Sequence, residues 1–343
     1  MSVTITRNPN LSKSGTQKSF EHLIKKEFGE NWWTGLAPKD CPGFEQERNC
    51  LVALPLLNLK TLSREDVLAY FNNSWTLTEL LFSSLKVEEA YIRPPYHGLR
   101  HPMIFYYGHP AVLYVNKLRI AGLLNGSINL YLEKVLETGV DEMSWDDMSK
   151  NEMSWPSVAT VREYRQTVYN QIVNLIKTHP DLESPKFLDQ NTPWWALWMG
   201  MEHEKIHFET SSVLIRELPI EYLETPKYWA PLHPSKNNFS LETANKWEKS
   251  AGKLVQVGKP TSIESFGWDN EYGNRSVKIS DFTYTKNQIT NGEYLDFVAS
   301  GAYINDKYWT EEGLAWRKFR NTKRPTFWAY YYPQLSSVVG FLH

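Results

Sequence analysis

Cysteine is nearly missing from this chain: 343 residues hold two, Cys41 and Cys50. Their spacing is not that of a CxxC knuckle. In a chain of this size, two free thiols in a reducing compartment are expected rather than a disulfide framework. A strong charge of either sign is also absent. The formal net charge is −2, which argues against a basic field for nucleic acid or for an anionic membrane. Long apolar runs are lacking too. Leu51 to Leu59 is the longest and is broken by Pro55 and Asn58, far short of the roughly 20 residues of a membrane span. Met1 to Arg7 carries no apolar signal region, so the expected location is cytoplasmic.

Aromatic residues are plentiful, at 14% with 14 tryptophans. Packed aromatic clusters are the default account of them, and an aromatic-lined pocket is the functional alternative. The length suits two domains. A loop-rich segment, 1–60, contains a short helical candidate at Ser19 to Phe28. From Ser63, an N-cap followed by Glu65 and Asp66, apolar residues recur at helical spacing through Trp75, Leu80 and Leu85. Further helices are expected at about Pro102 to Leu124, Ile128 to Leu136, Val161 to Lys177 and Thr192 to Glu217. These make a four-helix bundle over 61–218. Residues 219–255 hold Pro219, Pro226, Pro231 and Pro234 and read as a linker. Over 256–343 the pattern becomes α+β, with strands at Ser276 to Ser280 and Asp281 to Thr285 and a helix at Thr290 to Ser300. A strand over Leu254 to Gly258 leads into it.

His203 and His207 stand four apart in the last bundle helix. Imidazoles at i and i+4 leave one helix face and form a ready pair of metal ligands. A metal needs a third ligand, and His109, among aromatic neighbours after Gly108, is the best candidate. Three histidines from two helices leave open positions for substrate and dioxygen, which favours iron(II) chemistry. Two other readings stay open. Histidines on apolar helix faces serve as hydrogen-bonded core residues, and His203-Glu204-Lys205-Ile206-His207 also spells the HExxH of a zinc peptidase with Glu204 as base. The residues after His207 lack the metzincin glycine and histidine. Arg162 and Arg165 stand three apart on one helix, either as a solvated face or as a guanidinium pair for a substrate carboxylate.

The runs Tyr70 to Glu79, Leu99 to His109, Gly139 to Asp147 and Glu202 to Arg216 resemble the 5-histidylcysteine sulfoxide synthases of ovothiol biosynthesis. More loosely, they are similar to ergothioneine synthases. The resemblance covers about residues 20–330. It implies a DinB-like helical bundle that supplies three histidines to a non-haem iron(II), here His109, His203 and His207. It also implies a second, formylglycine-generating-enzyme-like (C-type-lectin-like) domain, whose opening Phe266 to Gly273, Gln288 to Tyr294 and Tyr308 to Gly313 resemble. Arg162 and Arg165 would hold a substrate carboxylate. The implied reaction is an oxidoreductase step that joins cysteine sulfur to histidine C5 with O2. In that family the second domain continues past the length of this chain and brings the active-site tyrosine, so an incomplete second domain and no catalytic tyrosine are expected here. The alternative is a catalytically incomplete, metal-binding DinB-like fragment acting as a binding module.

Overall fold

The structure, a computed structural model, describes residues 28–95, 100–137, 154–183, 189–231, 245–325, 328–331 and 338–341. Most of the helical candidate at Ser19 to Phe28 and all of the Gly139 to Asp147 run lie outside these residues. The chain divides into two compact units, one of Met1–His233 with Gly258–Asn274 and one of Pro234–Val257 with Arg275–His343. Among the described residues no helix is long and apolar enough to cross a membrane.

In the first unit, α1 (Arg64–Phe82) begins where the sequence signals it. Ser63 accepts from the Asp66 backbone N–H, and the Asp66 carboxylate accepts from Ser63. Two of the helix's orphan N-terminal groups are thereby satisfied. A short helix, α2 (Glu88–Ile92), precedes α3 (Met103–Ile120) and α4 (Leu130–Val135). Then come α5 (Val158–Thr178), capped by Ser157, and α6 (Trp195–Ile215). The four long helices form a closed ring in which α6 packs on α1 and α3, and α5 packs on the same two. α1 and α3 therefore stand diagonally across the bundle. All four expected bundle helices are present, with ends within a few residues of their sequence signals.

The core is unusually aromatic. Trp75, Phe71, Tyr114 and Tyr169 form one group of ring contacts, and Trp32, Tyr91, Tyr107 and Phe82 form a second. Trp194 and Trp198 are also buried in this core, and Trp33, Trp155, Trp195, Trp229 and Trp268 pack against it, so most of the tryptophans are spent on packing. The loop before α1 covers the bundle and contains a small ladder, β1 (Phe44–Glu45) with β2 (Cys50–Leu51). Asn73 of α1 pins that loop, accepting from Leu54 N at 2.9 Å and donating to Val52 O at 2.9 Å. Cys41 and Cys50 are free and buried. Residues 258–274 return to this unit, where Phe266 lies 4.7 Å from Trp195 between ring centroids.

The second unit mixes strands and helices. β3 (Trp247–Ser250) pairs antiparallel with β6 (Phe282–Thr285), and β4 (Lys253–Val257) pairs antiparallel with β5 (Arg275–Ile279). α7 (Asn291–Ala299) opens with a Thr290–Glu293 capping box, and α8 (Glu311–Arg320) is capped by Thr310. A last ladder joins β7 (Trp328–Tyr331) to β8 (Val338–Phe341). Ala302, Tyr303 and Trp328 are buried, while Trp247, Leu254 and Phe319 are exposed.

Candidate metal centre

At 3.6 residues per turn, His203 and His207 of α6 lie within about 40° of each other around the helix axis, on a stripe with Met199 and Thr210. Glu204 is turned about 100° away from His203, toward the bundle interior. The half-buried stripe therefore carries the imidazoles and the core face carries the carboxylate. Their Nε2 atoms are 3.0 Å apart. Across from them, α3 holds His109, 5% exposed, with its ring centroid 5.0 Å from His203 and 4.7 Å from His207. One nitrogen from each of the three lies within 4.8 Å of the others, forming a metal-competent cluster. The His109 Nδ1 is 2.6 Å from the Leu136 carbonyl.

The donor set fits a metal. Burial is the main cause that holds these imidazoles neutral: it drives His109 down from 6.5 to about 4, and His203 to about 2, aided by the neighbouring histidines. His207 falls to about 3, again through burial and then His109. Each neutral imidazole carries one N–H and one bare nitrogen, so three of them converging on one point can offer three lone pairs, which a divalent cation satisfies without displacing a proton. An N3 set leaving other positions open matches iron(II) and related first-row ions.

The arginines fall in different settings. Arg165 is fully buried, its Nε donating to Glu79 Oε1 at 2.7 Å and its Nη1 to Tyr107 O at 2.8 Å. Its Nη2 is 3.5 Å from Glu204 Oε1, and its guanidinium is 4.1 Å from the Trp75 ring centroid. Burial alone would weaken the cation, but the two carboxylates outweigh it and its pKa stands above the ordinary value. Arg162 is one turn away and only partly buried; its Nε donates to Trp32 O at 3.1 Å. The structure thus places Arg165 inside the bundle, while Arg162 stands at its margin.

Glu204 accepts from the Tyr114 hydroxyl at 3.0 Å and is fully enclosed. Burial raises its pKa against the pull of Arg165. A carboxylate locked in the core beside a guanidinium does not reach a metal-bound water, so the HExxH spacing here does not produce a peptidase base.

Several residues of the site's support had no clear signal in sequence. Glu79 is a lone carboxylate in the apolar run of α1, and it also accepts from Thr34 Oγ1 at 2.7 Å. That charge in the apolar last turn of α1 was the available clue, since a buried carboxylate demands a partner. Tyr114 rests on Gly200, where a Cβ would come within 2.4 Å of its ring. Nothing in the spacing of these two glycine and tyrosine positions announces that contact.

Residues 70–211 match the family described as the DinB superfamily, a stretch that runs from within α1 to within α6 and includes all three histidines. Ergothioneine biosynthesis protein 1 of Schizosaccharomyces pombe is 24% identical over 76% of this chain and 36% of its own length. The protein of the same name from Neurospora crassa is 24% identical over 65% of this chain and 26% of its own length. Hercynine oxygenase of Mycobacterium tuberculosis is 31% identical over a shorter stretch, 21% of this chain and 17% of its own. The chain thus spans about a quarter to a third of the length of the first two relatives. Its bundle is similar to the DinB superfamily, and about two thirds to three quarters of the chain is similar to ergothioneine-biosynthesis proteins.

Proposed function

We propose that His109, His203 and His207 hold a non-haem iron(II), and that the chain is the metal-binding part of an O2-dependent sulfoxide synthase acting on cysteine and histidine. The observation that carries this reading is the convergence of three neutral imidazoles within 4.8 Å, on a bundle whose relatives are named for ergothioneine biosynthesis and hercynine oxygenation. Iron(II) in that place supplies a Lewis acid for a thiolate and a reductant for dioxygen. The chain's own residues then do three things. The imidazoles fix the ion, the half-buried face of α6 leaves it approachable, and the aromatic bundle behind keeps water from the rest of the site. The overall reaction balances as a thiol S–H and an imidazole C5–H plus O2, giving a carbon–sulfur bond, a sulfoxide oxygen and one water.

Arg165 is not available to a substrate, being enclosed between Glu79, Glu204 and the Trp75 ring. A carboxylate-holding role is therefore proposed for Arg162 alone. The opening of a formylglycine-generating-enzyme-like domain is proposed on the resemblance of Gln288 to Tyr294 and Tyr308 to Gly313 in the second unit, and of Phe266 to Gly273, which belongs to the first unit.

The names of the relatives favour a second reading, in which the imidazole substrate is N-trimethylated histidine. One experiment addresses both. The purified chain is loaded anaerobically with iron(II), given cysteine with either histidine or its trimethyl betaine, exposed to air, and analysed by mass spectrometry. A histidine–cysteine sulfoxide supports the ovothiol-type reaction, and a betaine adduct alone supports the ergothioneine-type reaction. Stoichiometric iron with neither product supports the binding-module alternative.

A further inference from the structure

We propose that Leu136 is a positioning residue for the metal centre, and that Gly108 exists to admit it. Together they present His109 to a metal through Nε2 alone. The inference rests on the metal assignment above.

A carbonyl oxygen can only accept, so the 2.6 Å contact between Leu136 O and His109 Nδ1 requires the proton on Nδ1. The Nε2 lone pair is then bare and fixed in direction by the ring. Leu136 is the residue that ends α4; its N–H is spent on Leu132 O, while its own carbonyl lies beyond the last turn and is free to turn outward. What brings it to His109 is its side chain, which is wholly buried. A Cβ on Gly108 would meet Leu136 Cδ1 at 2.6 Å and Val161 Cγ1 at 3.0 Å. The leucine therefore occupies the notch left by the missing Cβ one residue before the ligand. Side-chain seating and backbone acceptance act together, because both involve the same residue on adjacent positions of α3. The α6 ligands differ: the Nδ1 atoms of His203 and His207 are buried with no hydrogen-bond partner among the described residues. His109 is thus the ligand whose orientation the protein itself sets.

A remote hydrogen bond of this kind fixes a ligand's tautomer and raises its basicity, and losing it typically costs about 10–100-fold in metal affinity. The test uses two readouts. In the metal-free, 15N-labelled chain, long-range 15N–1H spectra of the imidazoles, assigned by loss of the signal in a His109→Gln variant, are expected to show His109 as the Nδ1–H tautomer. Cobalt(II), followed by its visible absorption, is expected to bind Gly108→Ala about 10–100-fold more weakly than the unmodified chain. Leu136→Ala, which empties the notch, is expected to show a loss of similar size, and the double variant with Gly108→Ala is expected to lose less than the sum of the two. An Nε2–H tautomer in the unmodified chain overturns the proposal, as does full cobalt affinity in folded Gly108→Ala. If Gly108→Ala does not fold, the tautomer decides alone. An unmodified chain that binds no cobalt overturns the metal reading instead, and the tautomer still judges the Leu136 contact.

Discussion

Arg165 donates to Glu79 across 2.7 Å, and neither side chain reaches solvent. The pair crosses from α5 to α1, Glu204 of α6 stands on its other side and Tyr107 O of α3 accepts from Nη1, so all four bundle helices meet at one guanidinium. Removing one member leaves an uncompensated buried charge. Arg165→Met is therefore expected to destabilise the helical unit by about 3–5 kcal/mol, read by denaturant unfolding followed in the far ultraviolet. A loss below about 1 kcal/mol would show that the cluster is not the tie the geometry describes.

The contact of Tyr114 with Gly200 sets how closely α3 and α6 approach. Gly200→Ala forces a methyl against an aromatic ring that cannot fold away, with an overpacking cost of about 1–3 kcal/mol. Combining it with Tyr114→Leu is expected to return less than the sum of the two single losses, since the smaller residue relieves the clash. Strict additivity in that cycle would count against the contact.

The pH dependence of the metal-free chain follows from the neutral histidines. Their folded pKa values lie below the ordinary 6.5, with His109 at about 4. Below 6.5 the unfolded chain takes up protons that the folded one refuses, so their contribution is complete above that pH and is lost as pH falls, through about 4 for His109 and further down for His203 and His207. The slope is up to about 1.4 kcal/mol per pH unit for each histidine. Denaturation midpoints measured from pH 7 to 4 should decline, and His109→Phe should decline less steeply. An unchanged slope in that variant would mean that His109 titrates normally in the fold.

Metal binding should raise the unfolding temperature, because the ion binds the folded cluster in preference to the open chain. His109→Ala, His203→Ala and His207→Ala are each expected to abolish the shift that iron(II) or cobalt(II) produces. Glu204→Gln should keep it, since that side chain faces Tyr114 and Arg165 rather than the cluster. Loss of the metal-induced shift in folded Glu204→Gln would restore a role for the carboxylate at the metal.

Periodicity and caps determined much of this protein. Ser63, Ser157 and Thr290 mark helix starts because a hydroxyl before an apolar run satisfies backbone N–H groups locally. The i, i+4 pairing of His203 with His207 follows from helix pitch alone. Those are short-range facts, and a linear pattern encodes them. The packing order of the helices around the ring, the approach of His109 from a different helix, and the fate of Arg165 are long-range facts. Two arginines three residues apart look equivalent on a helix. Glu79, 86 residues away, claims one of them and leaves the other at the margin, because a charge in the core is stable only where the fold delivers its counter-charge. Tertiary structure likewise decided what Glu204 does, since a helix places it next to a ligand in sequence and on a different face in space.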